Sequence, residues 1–91
     1  MNKSELVEAV ASSTGESKAT AEKAVNATLE AIVGAVAGGD KVQLTGFGTF
    51  EPRDRAARTA RNPQTGAEIQ VAATTVPAFK AGKSFKDAVK P

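Results

Sequence analysis

Apolar residues near the start of the chain recur at the spacing of an α-helix. Leu6, Val7 and Val10 follow Asn2, whose side chain can cap a helix, and Glu5 lies three residues after Asn2 as in a capping box. The pattern therefore predicts a short first helix that begins next to Asn2.

A second and longer apolar stripe follows the polar segment 14–17, which ends the first helix. From Lys18 the apolar positions keep to one helical face, and the segment Gly38-Gly39-Asp40 closes the pattern. A helix of about five turns is predicted. Its stripe consists of Ala21, Val25, Leu29, Ile32 and Val36.

After residue 40 the spacing changes from helical to alternating. Val42 and Leu44 are predicted to lie on one side of a strand, with Gln43 and Thr45 on the other. The segment 46–50, Gly-Phe-Gly-Thr-Phe, then turns the chain into a second strand, so that a β-hairpin is the simplest interpretation.

The segment 53–75 is too poor in apolar residues to build a core, since Ile69 and Val71 are its only large ones. Asn62-Pro63-Gln64-Thr65-Gly66 favours a turn at its centre, with an extended limb on either side. Because isolated two-stranded hairpins are marginal in water, we expect a protruding arm, mobile when free, rather than a packed element.

The end of the chain predicts a short closing helix over residues 82–90, with Phe85 and Val89 on one face. The remaining core is thin: Phe47, Phe50 and Phe79 have no obvious cover within one chain of this length. A homodimer would bury them.

The amino-acid composition excludes most kinds of catalytic chemistry. The chain has no Cys and no His, so disulfides, thiol nucleophiles, imidazole bases and nearly all transition-metal sites are excluded, and we expect no enzyme activity, no metal and no cofactor. A start without a signal-peptide pattern, and the lack of any run near the ~20 apolar residues of a membrane helix, predict a cytoplasmic protein that is not bound to a membrane.

Charge is distributed unevenly along the chain. Residues 1–40 carry three Lys against six acidic residues, a net charge of −3, whereas residues 41–91 carry nine Lys or Arg against four acidic residues, a net charge of +5. Such asymmetry is typical of a protein with a polyanionic partner for one face.

Four arginines lie in nine residues immediately before the predicted turn, with Asp54 as the only opposing charge among them. Arginine suits a narrow, negatively charged minor groove, and the small residues between the arginines keep this limb slender. Pro63 at the tip is a rigid apolar ring of the kind that can wedge between base pairs and kink a duplex. The arginines are Arg53, Arg55, Arg58 and Arg61.

These motifs, from the segment 46–50 through the arginines to the turn 62–66, resemble the HU/IHF family of bacterial DNA-bending proteins, and the resemblance to HU is the stronger. It covers essentially the whole chain. It implies an α+β fold and an intertwined dimer. Each chain would have two N-terminal helices, a three-stranded antiparallel sheet extended into a long β-arm, and a short C-terminal helix. The single domain would comprise a helical dimerisation part (1–40), a sheet (41–79) with its arm (53–75), and the closing helix (82–90).

The resemblance also implies roles for individual residues. Pro63 would intercalate at the arm tip, and the four arginines and Asn62 would contact the minor groove. Flanking DNA would contact Lys3, Lys80, Lys83 and Lys86. The dimer core would comprise Phe47, Phe50 and Phe79 together with Leu29, Ile32 and Leu44.

The function so predicted is non-sequence-specific binding, bending and compaction of double-stranded DNA in the nucleoid, with preference for bent, nicked or gapped duplexes. A sequence-preferring bending protein of the IHF type and a protein-interaction dimer that does not bind DNA remain as alternatives. RNA as a further ligand and a heterodimer also stay open. Gly82-Lys83-Ser84 resembles the end of a phosphate-binding loop, but position 77 is Pro where that motif needs Gly.

Overall fold

The computed structural model describes all residues from Met1 to Pro91, and it has the predicted α+β composition. Chain contacts divide it into two compact units, residues 1–34 and 35–91, which are described separately. The helices are α1 (Lys3–Thr14), α2 (Lys18–Ala37) and α3 (Lys83–Val89). The strands are β1 (Val42–Leu44), β2 (Gly48–Arg55), β3 (Arg58–Arg61), β4 (Glu68–Val71) and β5 (Thr74–Ala81).

Both N-terminal helices begin at side-chain caps. Asn2 Oδ1 accepts a hydrogen bond from the Glu5 backbone N–H at 2.9 Å, as predicted, and Ser17 Oγ accepts from the Thr20 N–H at 3.1 Å at the start of α2. Gly15 ends α1 in a left-handed conformation (φ 74°), where its N–H bonds to the carbonyl of Ala11.

The buried core of a single chain is very small. Only Val7 on α1 and Ala21 on α2 are buried apolar residues, each with about 2% of its surface accessible. Leu29, in the predicted stripe of α2, keeps 43% of its surface exposed. Within one chain the apolar stripe of α2 is therefore only partly covered.

Strands β1, β2 and β5 form an antiparallel sheet in the order β1-β2-β5, which confirms the predicted three-stranded sheet. Gly46, with φ of 81°, lies in the turn between β1 and β2, and the Phe47 N–H closes that turn on the Leu44 carbonyl at 2.9 Å. Val42 pairs with Phe50, and Phe50 pairs in turn with Phe79. Strand β5 continues to Ala81, so the sheet extends two residues beyond the predicted boundary at 79.

One face of this sheet carries the paired Phe50 and Phe79, and Phe47 of the β1–β2 turn and Phe85 of α3 pack against them. The Phe50 and Phe79 ring centroids lie 4.7 Å apart, and Phe47 lies 5.5 Å from Phe79 and 5.2 Å from Phe85. These separations are typical of favourable aromatic pairs. Phe85, which the sequence placed only on a helix face, is thus part of the same aromatic cluster.

Pro52 and Pro77 lie directly opposite each other in the β2–β5 pairing. Neither has a backbone N–H, so the two cannot exchange the N–H···O bonds of a hydrogen-bonded pair. They must form a non-hydrogen-bonded pair, in which the missing donors face the outer edges of the two strands.

Candidate nucleic-acid interface

The second face of the three-stranded sheet, the polar face, carries three basic side chains. Because side chains alternate along a strand, Arg53 and Arg55 share this face with Lys80, which pairs with Thr49. Asp54 lies on the opposite face, where its Oδ1 accepts a hydrogen bond from the Thr75 hydroxyl at 3.1 Å. The only acidic residue among the four predicted arginines is therefore turned away from the basic face.

The acidic residue on the polar face is Glu51. Its side chain is only 21% exposed, and its two oxygens face two different cations. Lys41 Nζ lies 3.6 Å from Oε2, and an Arg53 guanidinium nitrogen lies 3.6 Å from Oε1. Sequence reasoning did not single out Glu51 or Lys41.

The arm (residues 53–75) is divided into two ladders. Its base is the continuation of β2 and β5, where Arg53 pairs with Val76 and Arg55 with Thr74. Its distal part is a separate two-stranded sheet of β3 and β4, the outer hairpin (58–71). The Ala-Ala segments 56–57 and 72–73 interrupt the two limbs at matching positions.

In the outer hairpin the two predicted arginines lie on opposite faces. Arg58 pairs with Val71 and Arg61 with Glu68, and a separation of three residues places side chains on different sides of a strand. The sequence pattern treated the four arginines as one cluster, whereas the strand register separates Arg61 from Arg58 and sets it across from a carboxylate.

The turn at the arm tip is held together by Asn62. Its backbone N–H donates to the Ala67 carbonyl at 2.8 Å, and its carbonyl accepts from the Gly66 N–H at 2.7 Å. Asn62 Oδ1 accepts a further hydrogen bond from the Gln64 N–H at 2.8 Å, an Asx-turn that wraps around Pro63. Pro63 is exposed at the tip, and the side-chain oxygen of Asn62 is occupied in shaping the turn.

The predicted lysines are all on the surface. Lys3 is exposed in the first turn of α1, within the N-terminal unit. In the C-terminal unit, Lys80 is exposed on the polar face of the sheet, and Lys83 and Lys86 are exposed on α3. None of these lysines forms an ion pair within the chain, so each ammonium is available to an external anion.

The residues predicted to form a dimer core are poorly covered within one chain. Phe47 is 44% exposed, Phe79 42% and Leu44 39%, while Phe50 and Ile32 are partly buried. Apolar side chains of this size normally lose most of their accessible surface in a folded protein.

None of the three helices is long and apolar enough to cross a membrane.

The family model described as bacterial DNA-binding protein matches residues 1–90. The DNA-binding protein HU of Lactococcus lactis subsp. lactis (strain IL1403) is 62% identical over 89 residues, covering 98% of each chain. That of Geobacillus stearothermophilus is 60% identical over 90 residues, covering 99% of this chain and 100% of the relative.

Solved structures agree with the sequence comparison. The chain of an Anabaena HU–DNA cocrystal structure superposes with a TM-score of 0.94 at 52% identity, covering 100% of this chain and 99% of that one. HU from Thermotoga maritima superposes with a TM-score of 0.70 at 34% identity, covering 99% and 100%. The chain belongs to the HU/IHF family of bacterial DNA-binding proteins, on its HU side, as the sequence motifs predicted.

Proposed function

We propose that this protein is a DNA-binding architectural protein that binds double-stranded DNA without sequence specificity, bends it and compacts it. The observation that carries the proposal is the two-sided sheet, with aromatic residues on one face and Arg53, Arg55 and Lys80 on the other, continuous with a slender arm. Its HU relatives are named as DNA-binding proteins, and the Anabaena neighbour was crystallised with DNA.

In this proposal phosphate neutralisation supplies most of the affinity, and shape supplies the preference. The basic face of the sheet and the lysines of α3 bind phosphates, while the arm follows the minor groove. Each phosphate contacted contributes about −0.9 to the slope of log K against log salt. Contacts of this kind carry little base information, which favours an HU-type function over sequence-preferring binding.

Pro63 is proposed as the wedge. It is exposed at the arm tip, and the hydrogen bonds of Asn62 fix the turn that presents it. Inserting an apolar ring between base pairs costs roughly a few kcal/mol of unstacking per step, which is offset by the contacts that bent DNA makes with the flanks. A nick or gap lowers that cost, so distorted duplexes should bind more tightly than intact ones.

The proposed assembly is a homodimer, because two chains that cover each other's exposed apolar residues would also present two arms to one duplex. Its proposed location is the nucleoid, and the proposal includes no catalytic step. The set of residues proposed to contact DNA is Arg53, Arg55, Arg58, Arg61, Asn62, Pro63, Lys3, Lys80, Lys83 and Lys86.

Binding to an intact duplex and to a nicked duplex of the same sequence, titrated across salt, tests this function. We expect salt-sensitive binding to both and tighter binding to the nicked duplex. Absence of binding to either duplex at low salt would contradict the proposal and favour a protein-interaction dimer.

The wedge is tested with Pro63→Ala, and Gln64→Ala beside it serves as the matched control. Pro63→Ala should reduce the DNA bend, measured by energy transfer between end labels, and most of the preference for the nicked duplex, with less effect on binding to intact DNA. Gln64→Ala should leave both unchanged. A bend angle that is the same in Pro63→Ala and in the parent would reject the wedge.

A further inference from the structure

The polar face of the three-stranded sheet holds one carboxylate among its cations. Cross-strand pairs place Thr49 with Lys80, Glu51 with Ala78, and Arg53 with Val76 on this face. Glu51 is thus the only acidic residue on this face of the three-stranded sheet, which is part of the surface proposed to bind DNA. A carboxylate there opposes DNA binding unless it has another effect, because it repels phosphate.

Glu51 is engaged by two cations at once. Lys41 Nζ and the Arg53 guanidinium each lie 3.6 Å from a different carboxylate oxygen. The Glu51 side chain is 21% exposed, whereas those of Lys41 and Arg53 are 70% and 47% exposed. The carboxylate is therefore less accessible to solvent than either of the two cationic side chains that pair with it.

This arrangement changes the charge that DNA meets. The side chains of Lys41 and Arg53 together carry a charge of +2. With the carboxylate of Glu51 the net charge of the three side chains is +1. A cation that is already paired recruits a phosphate less well, and it displaces fewer condensed counterions when it does so.

We infer that Glu51 is an affinity-limiting residue of the DNA-binding face, which holds Lys41 and Arg53 in ion pairs and thereby lowers the charge available to phosphates. This inference rests on the proposed function. It assigns to Glu51 and Lys41 a role in setting how tightly, and how salt-dependently, the protein binds any duplex.

The test is Glu51→Gln, which keeps the size and polarity of the side chain and removes its charge. The matched control is Asp54→Asn, which makes the same change in net charge three residues away on the opposite face of the sheet. Both variants are titrated with one intact duplex between about 50 and 200 mM salt, a range over which phosphate contacts change affinity strongly.

We expect Glu51→Gln to bind roughly three- to tenfold more tightly at low salt, in proportion to two released surface ion pairs. Its salt slope should steepen by about 0.9 for each cation that gains a phosphate. Asp54→Asn should change affinity by less than about twofold and leave the slope at the parental value. Curves for Glu51→Gln and Asp54→Asn that coincide would overturn the inference, since net charge alone would then explain any gain.

A second comparison tests whether Glu51 acts through Lys41. Lys41→Gln should weaken binding less than about twofold in the parent, where the ammonium is paired, and roughly three- to fivefold in the Glu51→Gln background, where it is free. Equal losses in the two backgrounds would overturn the pairing. Failure of the proposed function looks different: the parent itself would bind no duplex at low salt, and both proposals would fall together.

Discussion

At the scale of single residues, Gly48 is the position where the fold tolerates no side chain. It is the first residue of β2 and is buried beside the Phe79 ring. A Cβ built on Gly48 would lie 2.6 Å from Phe79 ring carbons and 2.7 Å from the Lys80 carbonyl oxygen. Since one of these neighbours is backbone and the other is a packed ring, the aromatic cluster depends on this glycine.

Gly48→Ala is therefore expected to destabilise the protein by about 1 to 3 kcal/mol, the usual cost of overpacking a site that cannot relax. At this chain length the melting temperature should fall by about 4 to 8 °C per kcal/mol. Gly34→Ala is the control, because a Cβ on Gly34 in α2 meets nothing within 4 Å and alanine favours a helix. Thermal unfolding in which Gly48→Ala is as stable as Gly34→Ala would contradict the close packing.

Sequence reasoning named candidate site residues by their chemical type but could not predict their pairings. The arginines, Pro63 and the lysines could be named as candidates because the charge or ring of a side chain follows from its residue type alone. The ion pairs of Glu51 and the hydrogen bond of Asn62 Oδ1 could not, since both depend on strand register and turn geometry. The helical spacing of Phe85 was visible, but its contact with Phe47 requires the sheet.

At the scale of elements, the two N-terminal helices, the hairpin after residue 40 and the turn at 62–66 were predicted from apolar spacing and turn residues, which are local signals. The three-stranded sheet was predicted only through the resemblance to the HU/IHF family. The division of the arm into two ladders was not predicted. Alanine has low strand propensity, and the paired Ala-Ala segments 56–57 and 72–73 are the sequence signal from which the break could have been predicted. Because both limbs lose their strand pairing at the same level, the outer hairpin is a two-stranded sheet of its own, with no ladder hydrogen bonds to the three-stranded sheet.

The outer hairpin should consequently unfold separately from the rest of the chain. Gly66 occupies a left-handed conformation (φ 71°) in its turn, so Gly66→Ala should cost about 1 to 2 kcal/mol locally. We expect faster amide hydrogen exchange in residues 58–61 and 68–71, roughly five- to thirtyfold, with the melting temperature unchanged within about 1 °C. A melting temperature that falls together with arm protection would mean that the arm unfolds with the sheet.

At the scale of the whole molecule, a single chain leaves several of its large apolar side chains exposed to solvent. Val7 and Ala21 are its only buried apolar residues, while Leu29, Leu44, Phe47 and Phe79 each expose more than a third of their surface. Burying apolar surface contributes about 25 cal/mol per Å², so covering these side chains is a large part of the available stabilisation. We therefore expect folding and dimerisation to be coupled.

Coupled folding predicts that the melting temperature rises with protein concentration. It also predicts that Leu29→Ala costs about 2 to 4 kcal/mol, as in a buried core, although the side chain is 43% exposed within one chain. Val89→Ala, at a side chain 70% exposed on α3, serves as the control and should cost well under about 1 kcal/mol. A stable monomer would be indicated if the melting temperature did not depend on protein concentration and if Leu29→Ala and Val89→Ala lost equally little stability.

The opposed prolines of β2 and β5 have a consequence for many copies of the protein crowded along one duplex. Strand edges with free N–H groups are templates for adding strands from neighbouring molecules, and a crowded array would bring such edges together repeatedly. Pro52 and Pro77 remove the donor from both outer edges at one level, just below the arm. The prolines thereby act against edge-to-edge aggregation in such an array, where neighbouring molecules can lie close together without their sheets fusing.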